Sequence, residues 1–127
     1  MKRMAIVTAA VLLFALAACL FSHALIKSVV EDARHMRTQA IEYMDKGEIQ
    51  AAEETLVNLA RHLKDKQFLL EIFCEHDDLH NIKEQLIDAQ ASIEFGSGED
   101  FYQSIYRFGE GIEHIADIEE IRFSNFY

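Results

Sequence analysis

Residues 4–26 read MAIVTAAVLLFALAACLFSHALI, 23 consecutive positions without a formal charge. As a helix at 1.5 Å per residue this run is roughly 34 Å long, enough to cross a hydrocarbon core of about 30 Å. Lys2 and Arg3 precede it, whereas Lys27 is soon followed by Glu31 and Asp32. The positive-inside rule then keeps the N-terminus cytoplasmic and places everything after the run outside the cytoplasm. The reading that follows is a single-pass cell-membrane protein with residues 1–26 as anchor and residues 27–127 as one extracytoplasmic domain.

Two processed alternatives share the same start. Lys2 and Arg3 followed by the apolar stretch from Met4 to Ala17 also suit a secretion signal. Leu16-Ala17-Ala18-Cys19 resembles a lipobox, which would make Cys19 a lipidated N-terminus. The apolar run continues through Leu20, Phe21, Ala24, Leu25 and Ile26, however, and that continuation favours a retained helix. His23, near the outer end of the run, is expected to be a neutral imidazole facing the membrane interface.

The remainder is acidic. All 22 Asp and Glu and 10 of the 12 Lys and Arg follow residue 26, so that region carries a formal charge of −12. Repulsion from phosphates argues against nucleic acid as a partner. The expected partners are membrane lipid, through the N-terminal segment, and an unidentified protein. With Cys19 in the apolar run and Cys74 beyond it, no intramolecular disulfide framework is expected.

The chain has no Pro, no Trp and only 5 Gly, a composition poor in the turns that sheets need. Apolar residues recur at helical spacing from Val30 through Met44, then Gly47 stops the helix. Ile49, Ala52, Leu56, Leu59 and Leu63 begin a second helix, whose stripe shifts to Leu69, Ile72 and Phe73, which suggests a bend around Asp65 and Lys66. Asp77 or Asp78 is placed to cap a third helix carrying Leu79, Ile82, Leu86, Ala89 and Ile93. Ser97 and Asp100 resemble a capping pair for a fourth, with Phe101, Ile105, Phe108, Ile112 and Ile115 on its apolar face.

The class is therefore all-α: a transmembrane helix followed by an antiparallel four-helix bundle made of two αα-hairpins, tetratricopeptide-like in shape. The hairpins resemble each other at an offset of about 52 residues, with slack at the glycine of each turn, Gly47 and Gly98. Gly109 and Gly111 fall inside the fourth helix, where each costs roughly 1 kcal/mol unless close packing requires it. Ile121 and Phe123 then alternate with polar neighbours, which predicts a short extended C-terminal tail with Ile121, Phe123 and Phe126 docked on the bundle. The competing use of that ending is as an interaction tail offering Phe123, Asn125, Phe126 and Tyr127 to a partner.

His76-Asp77-Asp78-Leu79 with Ile82, and His114-Ile115 followed by Glu119, Ile121 and the closing Asn125-Phe126-Tyr127, resemble the recurring features of a bacterial domain-of-unknown-function family numbered 4363. The resemblance spans nearly the whole chain and implies a small membrane-anchored helical protein. It implies no activity. The Trp expected in the second helix and the Pro expected after the last histidine are missing.

Chemistry is sparse. Cys74, Glu75, His76, Asp77, Asp78 and His80 form the densest polar cluster. On a continuous helix His76 and His80 would share one face at a spacing that suits Zn²⁺, with Cys74 or His114 completing a site. The competing account is an inter-helix junction with ordinary caps and hydrogen bonds, His114 being brought near His76 by the antiparallel topology. No nucleophile elbow, phosphate loop, HExxH motif or paired catalytic carboxylate is present. No enzyme activity and no cofactor are expected. The leading expectation is a protein-interaction or scaffold module at the outer face of the cytoplasmic membrane; the alternative is a metal-responsive domain centred on His76 and His80.

Overall fold

In the computed structural model, which describes residues 1–126 except for the Phe126 side chain, the chain forms five helices. They are α1 (Lys2–Asp45), α2 (Ile49–Asp65), α3 (Gln67–Phe73), α4 (His76–Glu94) and α5 (Gly98–Phe126), and no strand occurs among the described residues. The anchor run and the first helix of the domain are one rod, α1, unbroken at residues 26 and 27. Residues 1–18 are exposed throughout, and the first core side chain is Ile26. One end of α1 thus lies bare while the other is built into a helical bundle.

Two glycine turns of the same geometry make the hairpins. After α1, Gly47 takes φ 77°, Glu48 N–H donates to Tyr43 O at 2.9 Å and Gly47 N–H to Met44 O at 3.0 Å. After α4, Gly96 takes φ 81°, and Ser97 N–H donates to Ser92 O at 2.9 Å. Both are Schellman closures, in which a left-handed residue without Cβ satisfies the last carbonyls. The equivalent glycines are Gly47 and Gly96, an offset of 49. At that offset Ala52, Thr55, Leu56, Leu59 and Leu63 match Phe101, Ser104, Ile105, Phe108 and Ile112, every one of them buried. The expected pairing of Gly47 with Gly98 is corrected: Gly98 opens α5 and has no positive φ.

α1 packs along α2, α4 along α5, and α1 also packs along α5. The core is centred on Phe101 and Phe108 of α5, Leu56 and Leu59 of α2, and Ile26 of α1. The second helix divides at Lys66, whose backbone leaves helical geometry, so α3 continues at the bend. α4 begins earlier than its aspartates suggested. Cys74 and Glu75 are extended, Glu75 is the N-cap without a side-chain cap bond, and Asp77 and Asp78 lie inside the first turn. Their charges favour the positive end of the helix without capping it. Ser97, by contrast, accepts from Asp100 N–H at 3.4 Å and donates to Asp100 Oδ2 at 2.8 Å.

The extended tail is also corrected, because α5 continues as helix to Phe126. Ile115, Ile118, Glu119 and Arg122 all face α3 and the start of α4, at steps of three and four. The alternation of Ile121 and Phe123 with polar neighbours concealed that period. Ile121 is 61% exposed, not docked; Phe123 is half-buried. The expected burial of the Phe126 side chain, and any contact of Tyr127, lie outside the described residues.

The two glycines of α5 are explained by packing. A Cβ on Gly111 would come within 2.7 Å of Ile82 Cγ1, and one on Gly109 would meet the Arg37 guanidinium. Arg37 is flexible, whereas Ile82 is buried and pinned. Gly111→Ala is therefore expected to lower stability by about 1–2 kcal/mol, overpacking exceeding the gain in helix propensity. In an Ile82→Ala background the same change should become neutral or stabilising. Urea melts of the four proteins test this, and equal effects in both backgrounds would rule out the contact as the reason for the glycine.

Candidate functional site

The polar candidates from the sequence lie on α4 and α5. His76, the first residue of α4, is exposed, and His80 is exposed with Nε2 3.5 Å from Glu84 Oε1. His114 sits in the middle of α5, not at its end, because α5 continues beyond it. Its Nε2 lies 3.6 Å from Asp78 Oδ2 in the first turn of α4. Antiparallel topology thus brings His114 to the start of α4, where its contact is Asp78. Among the described residues, no three His, Cys, Asp or Glu side chains gather into a group able to hold a metal ion.

Cys74 is half-buried beside Glu119, Arg122 and Asp78. Burial pushes its thiol up to about 11, Glu119 and Asp78 add to the shift, and Arg122 opposes it. A thiol held protonated is a poor nucleophile and a poor metal ligand at neutral pH. In a Cys19→Ser background, alkylation of Cys74 at pH 7.5 should be at least about tenfold slower in the native protein than after unfolding. Equal rates would show that the native fold does not protect the thiol.

Between α4 and α5 lies a groove of about 470 Å³ whose lining includes Asp78, Asn81, Gln85, Arg107, Glu110 and His114. Gln85 helps to line it, and its Oε1 is buried with no hydrogen-bond partner. A buried amide oxygen normally has a donor, so this one is a local cost of the α4–α5 packing, and being closed off from the surface it offers no contact to a bound group. The sequence hid the groove, since Gln85 and Arg107 resemble any solvated helix residues until α4 and α5 are set in register.

A second site lies where α1 emerges from its bare segment. The His23 ring stacks on Phe123 at 3.9 Å with 19° between planes, and its Nδ1 lies 3.6 Å from Glu119 Oε1. His23 is thus covered by α5 on the side that meets Phe123 and Glu119. Arg122 Nη1 donates to Phe73 O at 2.6 Å and ties α5 to α3. These residues, with Cys19 and Ser22, line a mainly apolar cavity of about 360 Å³. Of the proposed interaction tail, Phe123 is engaged here and Asn125 is exposed, while the Phe126 side chain and Tyr127 lie outside the described residues.

Polar ties fix the height of α5 along α1. Arg34 forks onto Glu113, with Nη2 to Oε2 at 2.7 Å, and also donates to Glu31 Oε1 at 2.7 Å. The hydrogen bond from Arg34 holds Glu113 below the usual carboxylate range, and its counterpart raises Arg34 further. Both groups are solvent-accessible, so the pair fixes register more than it adds stability. Arg37 Nε donates to Ile105 O at 3.2 Å beside the Tyr106 ring, and Tyr102 Oη donates to Asp45 Oδ1.

Comparison with known protein families matches residues 20–126 to the domain of unknown function (DUF4363), and the chain belongs to that family. Comparison with curated proteins and with solved structures found no match.

Proposed function

We propose that this family member is a single-pass membrane protein that holds a helical docking domain at the outer face of the cytoplasmic membrane. One observation carries the reading: residues 2–18 form a long apolar helix segment that the protein's own core leaves entirely uncovered, although the same helix is buried further on. An unpartnered helix of that composition is stable in lipid and a liability in water. Lys2 and Arg3 on its short side support a cytoplasmic N-terminus. The apolar run that continues through Leu20, Phe21, Ala24, Leu25 and Ile26 supports a retained helix over a lipoprotein start. The two hairpins with matched core positions support a bundle of stacked αα-hairpins, and the polar α4–α5 groove lined by Asn81, Arg107 and Glu110 is the surface offered to a protein partner.

The test is a Glu99→Cys variant with Cys19 and Cys74 replaced by Ser, treated with an impermeant maleimide. Position 99 should label in intact cells once the outer envelope is permeabilised. Labelling only after rupture of the inner membrane would overturn the orientation. A diacylglycerol-modified N-terminus at Cys19 in the native protein's mass spectrum would replace the spanning helix with a lipid anchor. For the docking role, a photo-crosslinker at Arg107 should capture a discrete partner in cells. That capture should be lost with Glu110→Lys, and capture unaffected by Glu110→Lys would remove the groove from the proposal.

A further inference from the structure

Heights along α1 follow from its contacts with α5. Asp45 meets Tyr102, Arg34 meets Glu113, and His23 meets Glu119 and Phe123, so the last turns of α5 lie beside residues 19–25 of α1. α3 reaches the same level, because Phe73 lines the cavity with Ala18, Cys19 and Ser22. Only over Met4–Ala18 is every residue of the apolar run exposed. Those positions span roughly 22 Å as helix, short of the roughly 30 Å of a hydrocarbon core. A helix that crosses fully must use residues to about 23, and those residues already carry α5 and α3 at their sides.

We infer that the end of α5 and the outer face of α3 form a collar seated in the interfacial layer of the bilayer that α1 crosses, with lipid of that leaflet as its occupant. The inference rests on the reading of α1 as a spanning helix. What the collar shows outward fits lipid: Phe68 is 78% exposed, Ile72 56%, and Ile121 on α5 is also open, beside exposed Leu20 and Phe21 on α1. Apolar side chains on a short helix lying at a head-group boundary leave water without needing a protein to cover them. Exposed Lys27 and Lys66 can extend toward head-group phosphates while their stems stay apolar. Exposed Glu71 and Glu120 on the same elements limit the depth to the interfacial layer, since a carboxylate is costly in hydrocarbon. The apolar cavity bounded by Cys19, Phe73 and Phe123 lies at this depth and suits the upper part of an acyl chain.

The chain has no Trp, so single Trp substitutions report position directly. The full-length variants are F14W in the bare segment, F68W and I121W on the collar, and F95W at the distal turn, all at exposed positions. Each is reconstituted in phosphatidylcholine vesicles with plain or brominated acyl chains. F14W, F68W and I121W should lose emission to brominated lipid, the collar positions most with bromine near the head group, and F95W should lose none. If F14W is quenched while F68W and I121W stay open to aqueous acrylamide, the domain stands clear of the bilayer. The collar is then wrong and the anchor stands. Shielding of F68W and I121W from acrylamide without quenching by bromine would mean a protein surface, such as a second copy, covers them, and would also overturn the proposal. An unquenched F14W would remove the anchor and the collar together.

Discussion

Deletion of residues 2–18 is expected to move the protein from the membrane fraction to the soluble fraction after a high-pH wash, with little change in the melting temperature of the helical domain. Every residue removed is exposed, and the core begins at Ile26. The segment holds Val, Leu, Ile and Phe side chains whose transfer into the bilayer centre is favourable by about 0.3–0.6 kcal/mol each. Summed over the run, that commits the chain to lipid, whereas none of its side chains belongs to the core. The remaining chain keeps Cys19, Ser22 and His23, hence the contacts with α5. The collar proposed above leaves a few exposed apolar side chains, which give only reversible association removed by the wash. Retention of the shortened protein in washed membranes would show that another segment anchors it. A fall of more than a few degrees in melting temperature would show that the bare part of α1 supports the bundle in a way its exposure conceals.

Replacement of Phe101 or Phe108 by Ala should have the opposite profile, with membrane attachment intact and the domain close to unfolded. Both rings are fully buried on α5, where the two hairpins meet. Truncating a buried Phe typically costs about 3–5 kcal/mol, through lost transfer energy and the cavity left behind. That is a large fraction of the roughly 5–15 kcal/mol of a whole domain, and corresponds to a drop on the order of 15 °C or more. Phe95, 81% exposed in the turn before α5, is the matched control and should change melting by no more than a degree or two when replaced by Ala. Similar losses at all three positions would mean that ring burial is not what holds the bundle together. Thermal melts in detergent micelles, followed by circular dichroism, separate these cases.

Much of the architecture was legible from local chemistry. The turn at Gly47 could be located because a helix needs a left-handed residue to close and glycine supplies it without strain. The 3 and 4 stripes of Leu56, Leu59 and Leu63 and of Phe101, Ile105 and Phe108 named core residues correctly because burial on a helix selects one face. Gly96 was misassigned for a definite reason. Two glycines flank Ser97, and only the conformations of the flanking helix ends decide which takes the positive φ. The α4 start was placed too late because Asp favours both a cap and a first turn, and composition does not separate the two.

By itself the sequence determined a helical class, an uncharged run of spanning length, and which faces are apolar. Those properties are carried by single residues and their nearest helical neighbours. The tertiary structure decided that α5 continues as helix past Ile121, that His23 is covered by Phe123, and that Gly111 is small because Ile82 comes close. It also set α4 and α5 in the register that leaves the Gln85 oxygen buried without a donor. Each of these depends on the height at which one helix meets another, and that height is set by packing between residues distant in the chain, such as Arg34 with Glu113 and Tyr102 with Asp45. Periodicity along one helix tells which side faces inward, but it carries no term for how far a neighbouring helix slides.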